Sequence, residues 1–196
     1  MNATRRYSMA VRGQKAEATR QRILEAARDQ FDVRRSGFTL DQVAAAAGVS
    51  VQTVLRAFDS KEGLVLEAIG TFRSEVPDRS TVPTSVAEAV ALVVADYEVI
   101  GDRVIWMLAE EHRVNGFAEA AAEGRQRHRA WVEAAFARWL AELRPAAREP
   151  SVLALLGALD VYVWKLYRRD LDLSRSETEA VMERLVQGAL TCNEGG

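Results

Sequence analysis

Two sets of polar side chains in this 196-residue chain have types and spacings that bear on chemistry. Glu110, Glu111 and His112, with His128 further on, are carboxylate and imidazole groups of the kind that bind metals or move protons. Their spacing argues against both roles. Ligands on one helix converge on a metal at i and i+4, whereas sequence neighbours point roughly a quarter turn or more apart. The two histidines do not have that spacing, and the chain shows no nucleophile elbow, phosphate-cradling glycine loop or dinucleotide fingerprint. The expectation is no metal site, no catalytic residue and no cofactor. Gln52, Thr53 and Arg56 form the second set. Amide and guanidinium groups make paired hydrogen bonds to the edges of base pairs, and Val51 suits a thymine methyl. Arg56 is equally suited to a phosphate.

Side chains read bases only where an element holds them in register. Residues 39–58, TLDQVAAAAGVSVQTVLRAF, spell two helices joined by a tight turn. Thr39 is a good N-cap, with Asp41 and Gln42 in the first turn, where they suit free N–H groups and the positive dipole end. Val43, Ala44 and Ala47 give a small apolar face. Gly48 ends the helix, because a left-handed cap is cheapest without a Cβ. Ser50 caps the second helix, and Val49 and Val54 anchor it. Ala44, Gly48 and Val54 stand four and six residues apart. A small residue lies under the crossing, a permissive one at the turn and an apolar one in the angle. That is the helix-turn-helix arrangement, whose second helix enters the major groove. An ordinary helical hairpin in an all-α core is the plainer reading of the same segment.

The flanks extend the pattern. TRQRILEAARDQF, from Thr19, is an amphipathic helix. Gly37 to Thr39 form a Gly-x-Thr lead-in to the second helix, Ala47 to Ser50 an Ala-Gly-Val-Ser turn, and Phe58 to Leu64 a Phe-x-Ser-Lys-Glu-x-Leu run. From about Thr19 to Leu66 the chain resembles the TetR family of bacterial transcription regulators. Three departures stand out. Gln52 occupies a place where the family often has glycine. Leu55 replaces an aromatic, usually a phosphate-reaching tyrosine, and Ala57 replaces a frequent His or Tyr. The resemblance implies an all-α fold of about nine helices. An N-terminal three-helix helix-turn-helix domain would span 1–62, and a C-terminal helical ligand-binding and dimerisation domain 63–196. It implies double-stranded DNA with a palindromic operator as partner. Contacts would come from Thr39, Ser50, Val51, Gln52, Thr53 and Arg56, with Lys61, Lys15 and Arg20 on phosphates. Lys61 is electrostatically poor in a helix first turn unless an anion sits there.

Charge agrees with a polyanionic partner for one end. Residues 1–65 carry 11 Lys/Arg against 7 Asp/Glu, and the remainder 15 against 21. Arg5, Arg6, Arg12, Lys15, Arg20 and Arg22 crowd the first 22 residues, a basic arm or else a solvated tail. Apolar residues at 48% suffice for a core, and only four prolines interrupt an alanine-rich chain. No apolar run reaches the ~18 residues of a membrane span, and the N-terminus lacks a signal-like apolar stretch. The chain is expected in the cytoplasm, away from membranes. The single cysteine, Cys192, excludes an intrachain disulfide.

Beyond the break at 77–83 the periodicity predicts helices over about 84–100, 103–113, 117–143 and 151–170, and one opening with the capping box Ser174-x-x-Glu177. Gly101 and Asp102 punctuate the first pair, and Pro145 and Pro150 bracket a loop. The 151–170 helix is apolar around much of its circumference, which calls for burial on both sides, within one chain or between two. The family resemblance favours a homodimer through that helix and the last one, with Leu155, Leu156, Leu159, Val163, Val181 and Leu185 in the seam. It also implies a pocket for a small, largely apolar or aromatic effector. Phe72, Tyr97, Trp106, Met107, Glu110, Trp131 and Trp164 are its expected lining, although a plain core role suits each aromatic too. The resulting expectation is a repressor released by ligand. The alternatives are an effector-blind regulator or activator, or a helical carrier or enzyme with an idle helix-turn-helix.

Overall fold

The structure, a computed structural model, describes residues 3–34, 38–72, 76, 79 and 81–191. The side chains of Arg5, Arg6, Arg12 and Phe72, the lead-in Gly37, and Cys192 lie outside the described residues. All regular structure among the described residues is helical. The chain divides into two units, Met1–Phe72 and Arg73–Gly196.

The first unit holds α1 (Ala3–Arg34), α2 (Leu40–Ala47), α3 (Val51–Phe58) and α4 (Lys61–Phe72). Ile23, Leu24 and Ala27 of α1 are buried, with Val43 and Ala44 of α2, Val54 and Phe58 of α3, and Leu64, Val65 and Ala68 of α4. Both α2 and α4 pack on α1. The fourth helix therefore belongs to this unit, although the sequence boundary falls at 62/63. Thr39 and Gln42 form a reciprocal cap: the Thr39 hydroxyl accepts from Gln42 N–H at 3.3 Å, and the Gln42 side chain accepts from Thr39 N–H at 2.9 Å. Ser60 caps α4, accepting from Gly63 N–H at 3.0 Å.

The second unit holds α5 (Val86–Ala109), α6 (Phe117–Ala135), α7 (Ala137–Glu142), α8 (Pro145–Ala158), α9 (Val161–Lys165) and α10 (Arg175–Thr191). A π-helical turn, Leu166–Asp170, continues α9. The expected capping box opens α10: Ser174 Oγ accepts from Glu177 N–H at 3.2 Å, and the Glu177 carboxylate accepts from Ser174 N–H at 2.8 Å.

Four expected boundaries differ. Gly101 does not stop α5, which runs through it. A Cβ there would lie 2.4 Å from the Trp164 ring, so the glycine gives Trp164 its place against the helix. Asp102 is not a stop either; its carboxylate accepts from Arg169 Nε at 2.9 Å. The predicted 117–143 helix is interrupted at Phe136, whose ring is fully buried. Pro145 starts α8 at a position where the missing N–H costs nothing, and Pro150 lies inside that helix. The predicted 151–170 helix breaks at Leu159–Asp160. There the Asp160 carboxylate caps α9 by accepting from Tyr162 N–H at 2.8 Å, and the Leu159 carbonyl accepts from the buried Tyr97 hydroxyl at 3.0 Å.

These elements close one core. Val90, Val93 and Val94 of α5 meet Val132, Phe136, Leu155, Leu159, Trp164, Met182 and Val186. The Trp164 indole N–H donates to Glu98 at 3.2 Å, and Arg169 lies over its ring at 4.5 Å. Gly101→Ala should destabilise the protein by roughly 1–2 kcal/mol, since overpacking against a rigid buried ring outweighs the gain in helix propensity. Thermal unfolding checks this. In a Trp164→Phe background the same change should be nearly neutral, because the clashing atoms are gone.

Candidate functional site

The turn between α2 and α3 is built from three local choices. Gly48 sits at φ 64°, ψ 39°. Its N–H donates to the Ala45 carbonyl at 3.2 Å, and Val49 N–H donates to the Ala44 carbonyl at 2.9 Å. This pair of bonds closes a helix that ends left-handed. Ser50 then starts α3, its hydroxyl accepting from Thr53 N–H at 3.2 Å. Val54 and Phe58 turn inward, and Val54 is fully buried. At 3.6 residues per turn the opposite face of α3 presents Gln52 and Arg56, one turn apart. Both are exposed. Two long hydrogen-bonding side chains thus stand side by side on a short helix whose back is clamped.

The other expected DNA contacts divide by what already occupies them. Thr39 and Ser50 hold helix caps. The Thr53 hydroxyl lies 2.9 Å from Ser50 Oγ, so these hydroxyls first set the helix starts. Val51 is half-buried at the start of α3. Leu55 is 37% exposed on the outer surface of α3, an apolar group beside Gln52 and Arg56. Lys61 is exposed at the first position of α4, and Lys15 is exposed on α1. Arg20 is engaged within the unit. Its guanidinium donates to both Glu67 oxygens at 2.6 and 2.5 Å and lies 4.2 Å from the centre of the Phe58 ring. It ties α1 to α4 across the end of α3.

In the second unit the proposed pocket lining is placed in pairs. Tyr97 and Trp164 are buried together, 5.8 Å apart, with their polar atoms hydrogen-bonded. Trp106 meets Phe117 edge-on at 5.5 Å near the end of α5, where Met107 is buried and Glu110 faces Arg113 at 3.6 Å. Trp131 meets Phe136 edge-on at 6.5 Å. Glu111 accepts from Arg125 at 3.1 Å, and His112 is exposed. Of the expected seam, Leu155 and Leu159 are fully buried within the chain's own unit and have no surface left to offer a partner. Leu156, Val163 and Val181 are half-buried, and Leu185 is exposed. Leu153, Tyr162, Leu166 and Leu171 are exposed as well; for Tyr162 and Leu166 the sequence does not show it, because one apolar run continues across the break at Asp160.

A buried polar group also escaped the sequence reading. Arg79 pairs with Asp96 of α5, a carboxylate only 6% exposed, and stacks on Trp131 at 4.7 Å. His128, one turn before Trp131 on α6, is held down to a pKa of about 4, first by burial and then by the charge of Arg79. Nothing in the spacing of 79, 96 and 128 announces this grouping; an Arg in an otherwise turn-like segment is the only hint. The depressed imidazole makes stability depend on pH. Above about pH 6.5 it is neutral folded and unfolded; as pH falls toward 4 the unfolded chain takes the proton first, so stability drops through that window. The loss should approach roughly 3 kcal/mol, and His128→Gln should flatten that part of the stability–pH curve in denaturant titrations.

No curated protein of similar sequence matches the chain. Residues 23–68 match the family described as bacterial regulatory proteins, tetR family. The matched span covers the described part of α1 from Ile23, the whole helix-turn-helix and α4 as far as Ala68. With the capped turn, the clamped back of α3 and its exposed Gln52 and Arg56, that match marks the first unit as a helix-turn-helix DNA-binding domain similar to that of the tetR regulators.

Proposed function

We propose that the protein is a homodimeric repressor, working in the cytoplasm, that holds a palindromic operator and releases it when a small, largely apolar or aromatic effector binds the second unit. The exposed pair Gln52 and Arg56 opposite buried Val54 carries the DNA half of this reading. Such a helix reads base edges in the major groove, and one copy touches too few bases for an address. Two copies on a two-fold site double the contacts. The outward-facing side chains Leu153, Tyr162, Leu166 and Leu185, on α8 to α10, supply a surface for pairing. Pairing with a second copy would take these exposed apolar side chains out of water. No helix among the described residues is long and apolar enough to cross a membrane. The effector acts only by favouring one arrangement of the dimer over the other; equal affinity for both would shift nothing.

Arg56→Ala should cost about 1–3 kcal/mol on the operator and relax the preference at one position per half-site. Lys61→Ala should weaken operator and random DNA alike and lower the salt slope by about one unit. Binding titrations on operator and scrambled duplexes across a salt series measure both. A footprint that neither change alters would remove α3 and its flank from the interface.

Leu185 is 41% exposed and so tolerates a charge in the lone chain. Leu185→Glu should therefore leave the helical content intact while placing an unpaired carboxylate in the seam, at a cost of several kcal/mol. Sedimentation should show monomers, and operator affinity should collapse with the helix-turn-helix untouched. A variant that stays dimeric places the seam elsewhere.

A further inference from the structure

We propose that Leu55 reads a base: it meets the C5-methyl group of one thymine per half-site, on the other side of Gln52 from Arg56. The inference rests on the reading that α3 lies in the major groove, and it names one base feature that this helix selects. Leu55 is 37% exposed, the only large hydrophobic side chain of the first unit that is exposed among the described residues. At about 100° per residue, Leu55 lies roughly 60° to one side of Gln52 and Arg56 roughly 40° to the other. All three are exposed, on the face opposite fully buried Val54. The sequence alone suggests Val51 for a thymine methyl, but Val51 is half-buried, as are Thr53 and Ala57. The Thr53 hydroxyl also lies 2.9 Å from Ser50 Oγ, at the start of the helix. Leu55 is therefore the apolar group that this face offers most openly.

A single leucine on an ordinary surface carries no message. On a face that enters a groove it does, because binding strips its water. Base edges in the major groove present acceptors, amino donors and one apolar group, the thymine methyl. Pressed against a donor or an acceptor, Leu55 would desolvate that atom and return no hydrogen bond, which is costly. Against the methyl, two apolar surfaces leave water together. Leu55 thus favours thymine and rejects the other bases at the same place, and specificity is the difference of the two. A leucine has no donor for a phosphate, so it adds nothing to the grip that all sequences share. Gln52 and Arg56 supply hydrogen bonds on the same face, and Leu55 supplies the one kind of contact that they lack.

Deoxyuridine tests this on the full chain. Duplexes selected by the protein from a random pool supply the half-site. Replacing each thymine in turn by deoxyuridine then removes the methyl alone and keeps the O4 acceptor. At one position per half-site the exchange should weaken binding about fourfold, the worth of one buried methyl. Leu55→Ala and Leu55→Gln both put good helix formers at an exposed position, so at least one should keep the wild-type circular dichroism. In whichever folds, thymine and deoxyuridine duplexes should bind within about 1.5-fold of each other, because the apolar partner of the methyl is gone. Selected half-sites without thymine, no position with a deoxyuridine penalty, or a penalty unchanged in a folded variant would each overturn the inference and leave α3 in the groove. An unchanged penalty would hand the methyl to another side chain, Val51 first. Failure of the protein to select any duplex sequence removes the groove reading itself, and the inference with it.

Discussion

The aim of α3 depends on the backbone of a single residue. Gly48 takes a left-handed conformation, which lets two carbonyls of α2 be satisfied at once while the chain turns sharply enough for α3 to cross over Ala44. Every other side chain at that position would carry strain, since φ 64° is a place L residues rarely adopt. Val54 then fills the angle between the two helices. Ser50 and Thr53 determine where α3 begins, and Phe58 and Asp59 where it ends. With the turn fixed, rotation of α3 about its own axis is fixed too, and with it which side chains look outward. The reading face is a by-product of how the back of the helix is held.

The second unit is organised by a different constraint, the fit of one large ring. Trp164 is fully buried, yet it reaches α5 only because Gly101 has no side chain. Its N–H and its π face are both used, by Glu98 and Arg169. Arg168 and Arg169, on the π-helical turn, bind Glu98 and Asp102 of α5 at 2.7 and 2.9 Å. Insertion of an extra residue into a helical turn commonly re-aims side chains at one place, and here it brings two adjacent arginines onto carboxylates one helical turn apart.

These two constraints explain what was legible in the sequence. In the first unit each boundary is local: Thr39, Gly48, Ser50 and Ser60 each act within a few residues, so cap and turn rules find them. The exposed positions of Gln52 and Arg56 follow from the same spacing. Arg20 is the exception, because its partner Glu67 lies 47 residues away and nothing local shows the pairing. In the second unit the signals for a stop were present but had other uses. Gly101 is a site of close approach, Pro150 is absorbed within α8, and Asp160 is a cap hidden inside a continuous apolar run. The break at 159–160 changes the facing of everything after it, leaving Tyr162 and Leu166 outside, while Leu155 and Leu159 before it are buried in the chain's own core. The Arg79, Asp96 and His128 group draws on three separated segments and leaves no periodic trace.

The Arg20–Glu67 pair has a bearing on how the protein behaves in electrolyte. A cation that neutralises a phosphate releases a condensed counterion, and each such release steepens the fall of affinity with salt by about 0.9 in a double-logarithmic plot. A guanidinium already bridged to a carboxylate by two hydrogen bonds, and resting on an aromatic ring, brings no new neutralisation to the duplex. The basic side chains of the N-terminal unit therefore overstate its ionic grip. Lys15, Arg56 and Lys61, all exposed, stand outside that pair. A reader whose cations are partly spent on its own fold depends less on charge density and more on the shape and hydrogen bonding of its groove-facing side chains. It should discriminate between sequences better than the raw count of lysines and arginines suggests, and hold its site over a wider range of ionic strength.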